Sequence, residues 1–288
     1  MLQYILTGLA MGSLYALLGL GLVITNRTTN VLNFAHGEMS MVLTFVCFFS
    51  LTTFGLGTLA AFGVTLLAGI VLGLLTYNLI IHPQRKRDHE SLAILTLGMK
   101  LALSGIAAWA FGAQARVFPE IFAIGQYQAG NLTISVGQFW TILLGLVSMA
   151  ATTLFLRYTK LGLAMRASSE NIVIAQLLGI NLRVVGSAAW VAASCLAAVT
   201  GVLLATTVYL TPFMMGLTIL KAFAALVVGG MTSVPGVILG GLLLGLLEGM
   251  VAYTLTPVLQ ESVSLVLVIV ILLVRPQGLL GRKEAWRA

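Results

Sequence analysis

The stretch NFAHGEM, Asn33 to Met39, places an amide, an imidazole and a carboxylate within six residues. Such groups can offer hydrogen bonds and charge to a polar solute, or they can cap a helix and anchor it. Few other ionisable groups interrupt the apolar sequence around them: Lys100, Lys221, Glu248 and Glu261. What any of them does depends on the elements that carry it.

The 288 residues are 59% hydrophobic and 8% charged, against about 25% charged in an ordinary soluble domain. So little charge cannot cover a globular surface in water, so the surrounding solvent is largely lipid. The first 25 residues lack a basic leading segment, and their apolar run exceeds the roughly 7–15 residues of a signal-peptide core. They read as a retained membrane helix. Cys47 and Cys195 lie far apart in apolar runs with no CxxC spacing, which suggests neither a disulfide framework nor a metal site.

Apolar runs of about 20 residues predict membrane-crossing helices. They fall near 2–25, 32–54, 57–81, 92–112, 136–156, 186–209, 217–233, 236–255 and 258–274. The expectation is an all-α polytopic bundle of about eight to ten helices forming one domain over 1–288. The run 217–233 is short and glycine-rich, so a partial span is expected there. All six prolines fall in or beside the connections, as helix breakers should. Glycines recur at four-residue spacing: Gly8 and Gly12, Gly69 and Gly73, Gly236 and Gly240, then Gly241, Gly245 and Gly249. This spacing lets helix backbones approach closely in lipid.

Of 15 Lys and Arg, 12 lie in four places: Arg27; Arg85, Lys86 and Arg87; Arg157, Lys160, Arg166 and Arg183; and Arg275, Arg282, Lys283 and Arg287. Alternating spans put all four on one side, and the positive-inside rule makes that side cytoplasmic. The N-terminus is then outside and the C-terminus inside. Tyr4, Trp109, Trp140 and Tyr209 fall near outer span ends, as an aromatic belt requires. The net charge of +7 is thereby explained by topology, and nucleic acid is not expected as a partner. The patterns NRT at 26–28 and NLT at 131–133 are assigned no role. His82 and His89 read as solvated loop residues.

On this map NFAHGEM begins the second span, just inside the cytoplasmic boundary. Ionisable groups there are costly and normally face protein or a water-filled path, and Gly37 weakens the helix at the same point. Two readings stay open: a broken helix beside a solute route, or caps and anchors at the headgroup level.

The segment VLNFAHGEM, preceded by GLGLVITNRTTN, resembles the N-terminal signature of the permeases of branched-chain amino-acid ABC importers, the Liv-type permeases. GLAMRASSENIVIAQLLGINL (162–182), GGMTSVPGVILGGLLLGLLE and RPQGLLG also resemble that family, so the likeness runs from residue 8 to residue 281. It implies a type II-like permease fold and inward transport of branched-chain or other hydrophobic amino acids by ATP-driven alternating access. Urea, short amides and aromatic acids are the alternatives within the class. It further implies a second similar permease or a second copy of this chain, two cytoplasmic ATPase subunits, and a periplasmic or lipid-anchored solute-binding protein. The location implied is the cytoplasmic membrane of a bacterium or archaeon. The chain has no GxxxxGK[ST] loop, so it is not expected to be an enzyme, and ATP and Mg belong on the partner subunits.

The connection 157–185 is the longest on the basic side. Ser168 or Ser169 is the expected N-cap, with Glu170 in the first turn, and Gly179 the C-cap, of a two- to three-turn helix over ENIVIAQLL. Its apolar Val173, Ile174, Leu177 and Leu178 suit a partner's groove or the bilayer surface. The family resemblance favours the groove. It carries the role of coupling helix onto Ala167, Ser168, Ser169, Glu170, Asn171, Ala175 and Gly179.

Lys100 and Glu248 sit at mid-span, where a lone charge costs at least roughly 2.5–3.5 kcal/mol. They are expected to face the bundle or a subunit interface, paired with each other or lining the path. Candidate path residues are Asn33, His36, Glu38, Lys100 and Glu248. A stand-alone ion-coupled transporter or channel would need those same charges. A membrane enzyme is disfavoured by the absence of HExxH and GxSxG, and a scaffold subunit without a path is the remaining alternative.

Overall fold

The computed structural model describes residues 1–85, 87–122, 125–129 and 132–281. Lys86, Asn131, Arg282, Lys283 and Arg287 therefore lie outside the described residues. The helices are α1 (Leu2–Thr29), α2 (His36–Thr52), α3 (Thr58–Leu75), α4 (His89–Phe111), α5 (Val136–Tyr158), α6 (Lys160–Glu170), α7 (Ile172–Leu177), α8 (Leu182–Ala205), α9 (Gly216–Gly229), α10 (Val234–Thr254) and α11 (Pro257–Val274). Each of the nine expected spans is a helix. Among the described residues six are long and apolar enough to cross a membrane, while α2, α9 and α11 count as shorter apolar helices.

Successive spans run in opposite directions, which gathers the basic groups. Arg27 lies 3.3 Å from Ser169 Oγ, His89 3.1 Å from the Asn30 carbonyl, and Arg183 Nε donates to Asn78 Oδ1 at 2.9 Å. These contacts place the ends of α1, α3, α4, α6 and α8 together at one end of the bundle. At the opposite end a short hairpin, β1 (Gln126–Ala129) with β2 (Leu132–Ser135), is an addition that helical periodicity did not predict. There Arg116 exchanges backbone hydrogen bonds with Leu210 and stacks over Phe48 and Phe49.

Helix α1 is the axis of the bundle, with every residue from Gly12 to Thr25 buried. It packs closest on α10 through the four-spaced glycines. A methyl group on Gly8 would stand 2.5 Å from the Gly245 carbonyl oxygen, and one on Gly12 2.9 Å from that of Gly241. The other glycine pairs serve the same purpose: Gly73 lies against the Trp190 carbonyl of α8, and Gly240 against Ala225 of α9. Helices α4 and α11 stay peripheral. In α4 the buried residues are Leu92, Thr96 and Ala107, and Leu101 and Trp109 face outward.

Helices α2, α3 and α9 are shorter than the apolar runs that predicted them. Helix α9 has 14 residues, about 21 Å of rise, against a hydrocarbon core of about 30 Å. Its C-terminal end is capped by the returning tail: Leu279 N–H donates to the Val228 carbonyl at 2.8 Å and Leu280 N–H to Gly229 at 3.1 Å. The turns that permit this use Gly230 and Gly278, both at positive φ (104° and 79°). Helix α3 continues as a π-helical segment, Thr76–Ile81. Its Asn78 Nδ2 donates to Ser187 Oγ at 3.0 Å, stitching α3 to α8.

Replacing Gly245 by Val should force α1 and α10 apart and cost about 1–3 kcal/mol, seen as a lower melting temperature of the purified chain in detergent. Gly98→Ala is the control: nothing lies within 4 Å of its added methyl, so the melting temperature should hold or rise.

Candidate functional site: the polar interior of the bundle

Helix α2 does not begin at the membrane boundary. Helix α1 ends at Asn30, whose φ of 54° turns the chain back, and residues 31–35 return outside either helix, with Ala35 as the cap of α2. Phe34 packs against Phe223 of α9 with ring centroids 5.2 Å apart. Gly37 meets Met215 and Ile219, where α9 starts. The N-terminus of α2 thus lies inside the bundle, opposite the N-terminus of the short α9.

A backbone unwound in lipid must find internal partners. Asn33, wholly buried, accepts from the Ala35 N–H through Oδ1 at 3.1 Å, and its Nδ2 lies 3.4 Å from Met39 Sδ. Thr96 of α4 completes the connection: its Oγ1 lies 3.0 Å from the Leu32 carbonyl and accepts from Phe34 N–H at 3.3 Å. The sequence reading missed Thr96, since one threonine on an apolar helix carries no distinguishing signal.

His36 is fully buried and lies directly over Gly21 of α1, where a larger residue would collide with the ring. Neither ring nitrogen has a hydrogen-bond partner among the described residues. Glu38 is 5% exposed. Its Oε1 lies 3.7 Å from Lys100 Nζ, and its Oε2 has no partner among the described residues. Buried polar atoms are normally satisfied, so this cluster keeps unused hydrogen-bonding capacity inside the membrane.

Glu248 is not paired with Lys100, correcting the expectation that those two mid-span charges might meet. Its Oε2 accepts from Tyr15 Oη at 2.9 Å and from Lys221 Nζ at 3.0 Å, and Oε1 also lies 3.0 Å from Nζ. The ammonium sits 5.5 Å from the centroid of the Tyr15 ring. These three groups, one each from α1, α9 and α10, form a cluster in which Glu248 is only 1% exposed. Two ion pairs inside the spans differ in kind: a tight one tied to the glycine-packed axis, and a long one at the start of α2. Spacing along the chain could not predict the pairing, because α9 and α4 both place a lysine near mid-bilayer.

The region 157–185 is helical through most of its length, as α6 and α7. Ser168 and Ser169 do not cap the second helix. They lie in the last turn of α6, their hydroxyls bonded back to the carbonyls of Met165 (2.9 Å) and Arg166 (2.8 Å), and Glu170 ends α6 rather than opening α7. The cap is Asn171, whose Oδ1 accepts from Ile174 N–H at 3.0 Å. Two hydroxyls inside a continuing helix find carbonyls one turn behind, so the first side chain beyond the break does the capping. Helix α7 is correspondingly short, six residues, and Gly179 ends it with φ 82° as expected. Val173, Ile174, Leu177 and Leu178 are exposed by 54% or more, while Ala175 is buried and Ala167 partly so.

A polar break and paired charges inside an apolar helical bundle define a multi-pass membrane protein with a solute-transport architecture. A family described as the branched-chain amino acid transport system, permease component, matches residues 4–274, and the chain belongs to it. It is 31% identical to the high-affinity branched-chain amino acid transport system permease protein LivH of Escherichia coli, over 98% of this chain and 96% of that protein. BraD of Pseudomonas aeruginosa, which carries the same description, is also 31% identical over the same shares. A probable LivH of Methanocaldococcus jannaschii is 34% identical over 93% of this chain and 89% of its own length. Among solved structures, a chain of PsaBC from Streptococcus pneumoniae in complex with Fab superposes at TM-score 0.48 and 14% identity, over 96% of this chain and 91% of that one.

Lys221→Met leaves a buried carboxylate unmatched and should destabilise the purified chain by about 3–5 kcal/mol. Adding Glu248→Gln should recover most of that loss. Lys100→Met, at a longer pair whose lysine is one-third exposed, should cost less than Lys221→Met. Thermal unfolding of the three variants in one detergent provides the comparison.

Proposed function

We propose that this permease subunit moves branched-chain or other hydrophobic amino acids inward across a bacterial or archaeal cytoplasmic membrane, with its N-terminus outside and its C-terminus inside. In this reading it has the type II-like importer fold and pairs with a second similar permease or another copy of itself. A periplasmic or lipid-anchored binding protein delivers the solute. Two cytoplasmic ATPase subunits hold the ATP and Mg. Urea, short amides and aromatic acids are the alternative cargoes.

The observation that carries this reading is α7. It is a six-residue helix at the basic end of the bundle, too short to be stable alone, and it shows four large apolar side chains to the outside. A short apolar ridge held by an Asn cap suits a groove on a partner protein. Closure of paired ATPases would push α7 and rock α6 and α8, which flank it. The route for the solute passes the start of α2. There Asn33, His36, Glu38 and Lys100 offer polar contacts, while the tight Glu248 ion pair serves the bundle's axis. Ser168, Ser169, Glu170, Asn171 and Gly179 shape the coupling segment, and Ala175 supports it from within, leaving the docking face to Val173, Ile174, Leu177 and Leu178.

The test is uptake of labelled leucine into vesicles carrying this chain with its co-purifying partners, binding protein outside and ATP within. ATP-dependent uptake is expected. Leu177→Glu should lower both ATPase co-purification and uptake at least tenfold, and Glu38→Gln should lower uptake while the complex stays assembled. Leucine uptake by the chain alone, driven by an ion gradient, would instead favour a self-sufficient transporter.

A further inference from the structure

We propose that the cavity between the basic ends of α1, α5, α6 and the start of α10 binds the phosphate headgroup of an anionic phospholipid. This site is separate from the polar interior and does not depend on which solute is carried.

The cavity has a volume of about 190 Å³. Its lining includes three arginines from three helices, Arg27, Arg157 and Arg166, and no carboxylate. Arg27 holds Ser169 Oγ at 3.3 Å and forms one wall. Arg166 folds back over the end of α5, donating through Nη2 to the Arg157 carbonyl at 3.1 Å. A guanidinium carries five N–H donors, so among the described residues that bond leaves most of its fork for an anion. The Arg157 guanidinium lies 5.5 Å from the Tyr158 ring centroid. Both Arg157 and Arg166 are exposed.

The rest of the wall is apolar, with Ile24, Leu156, Met165 and Val234. Two turns further along α5, on the face of Thr153, the wall continues with Leu146, 48% exposed. Arg27 and Arg157 sit in the last turns of spans, where headgroups lie, and the apolar track runs from there towards the hydrocarbon region. A soluble anion would use only the arginines. A phospholipid uses both the charge and the track, which is why the lipid is the favoured ligand. Basic pockets between membrane helices on the cytoplasmic side bind anionic headgroups by this division of labour. Because Met165, Arg166 and Ser169 belong to α6, a bound lipid would brace the helix that leads into α7.

The test uses the full chain, with any subunits that co-purify, in detergent and read by native mass spectrometry. Phosphatidylglycerol should bind saturably and survive gas-phase activation, whereas phosphatidylcholine should not. Arg157→Gln with Arg166→Gln should weaken phosphatidylglycerol binding by about 25-fold, taking each arginine at about 1 kcal/mol. Leu156→Trp, which fills the track and leaves the charge unchanged, should weaken it as well, so the result does not depend on one variant folding. Equal binding of the two lipids, or undiminished binding in both variants, would overturn the proposal. Displacement of the lipid by inorganic phosphate would assign the cavity to a soluble anion instead. A dimer mass that phosphatidylglycerol dissociates would assign it to a second copy of the chain.

Discussion

The glycine-lined backbone contact between α1 and α10 fixes much of the rest. In lipid the apolar effect does not distinguish a neighbouring helix from an acyl chain, so helices associate through close packing and hydrogen bonds. Gly8 and Gly12 facing Gly241, Gly245 and Gly249 supply the packing. Once the two axes are that close, the Tyr15 hydroxyl reaches Glu248 at 2.9 Å and Lys221 completes the group at 3.0 Å. Charges that would be costly alone become a fastening among three helices. Burial of α1 then gives the shorter α2 and α9 a wall to rest on, with His36 over Gly21.

Much of this was legible in the sequence, and for a definite reason. Lipid imposes one constraint, a long apolar helix, and the nine apolar runs obey it. Glycine spacing also read correctly, because four residues apart is one face of one helix, whatever the partner. Partners were less legible. Glu248 and Lys100 are each visible as mid-span charges, yet the crossing of α9 under α1 decides that Glu248 takes Lys221. The cap of α7 was placed two or three residues early, at Ser169 or Ser168, because two serines that look like a cap sit inside a helix that had not ended. Thr96 and the π-helical turn at Thr76–Ile81 carry no local signature at all. The opening motif proved informative because its polar groups coincide with a real interruption: α2 starts at His36, four residues later than the apolar run.

The two ion pairs divide the molecule into a part built to hold and a part with capacity to spare. Both oxygens of Glu248 lie 3.0 Å from Lys221 Nζ, whereas Glu38 has its lysine at 3.7 Å from one oxygen, and Glu38 Oε2 and both His36 nitrogens lack a hydrogen bond among the described residues. Two short helices begin opposite each other at that point, so small displacements there disturb few backbone hydrogen bonds. The connection to the basic end runs through α8: Asn78 bonds Ser187 and Arg183 at its start, and Ser40 of α2 bonds the Ala197 carbonyl at 2.6 Å further along. Helix α8 therefore links the basic end to α2 without passing through the glycine seam.

The claim that the seam positions the buried charges is tested most directly by measuring the cost of Tyr15→Phe in two backgrounds. In the wild-type chain the lost hydrogen bond to a charged group should cost about 1.5–3 kcal/mol of unfolding free energy. In a Gly241→Ala background the added methyl, 2.5 Å from the Ala16 nitrogen, should separate the helices, and Tyr15→Phe should then cost close to nothing. An equal cost in both backgrounds would contradict the account, because Tyr15 and Glu248 would be meeting without the glycine contact.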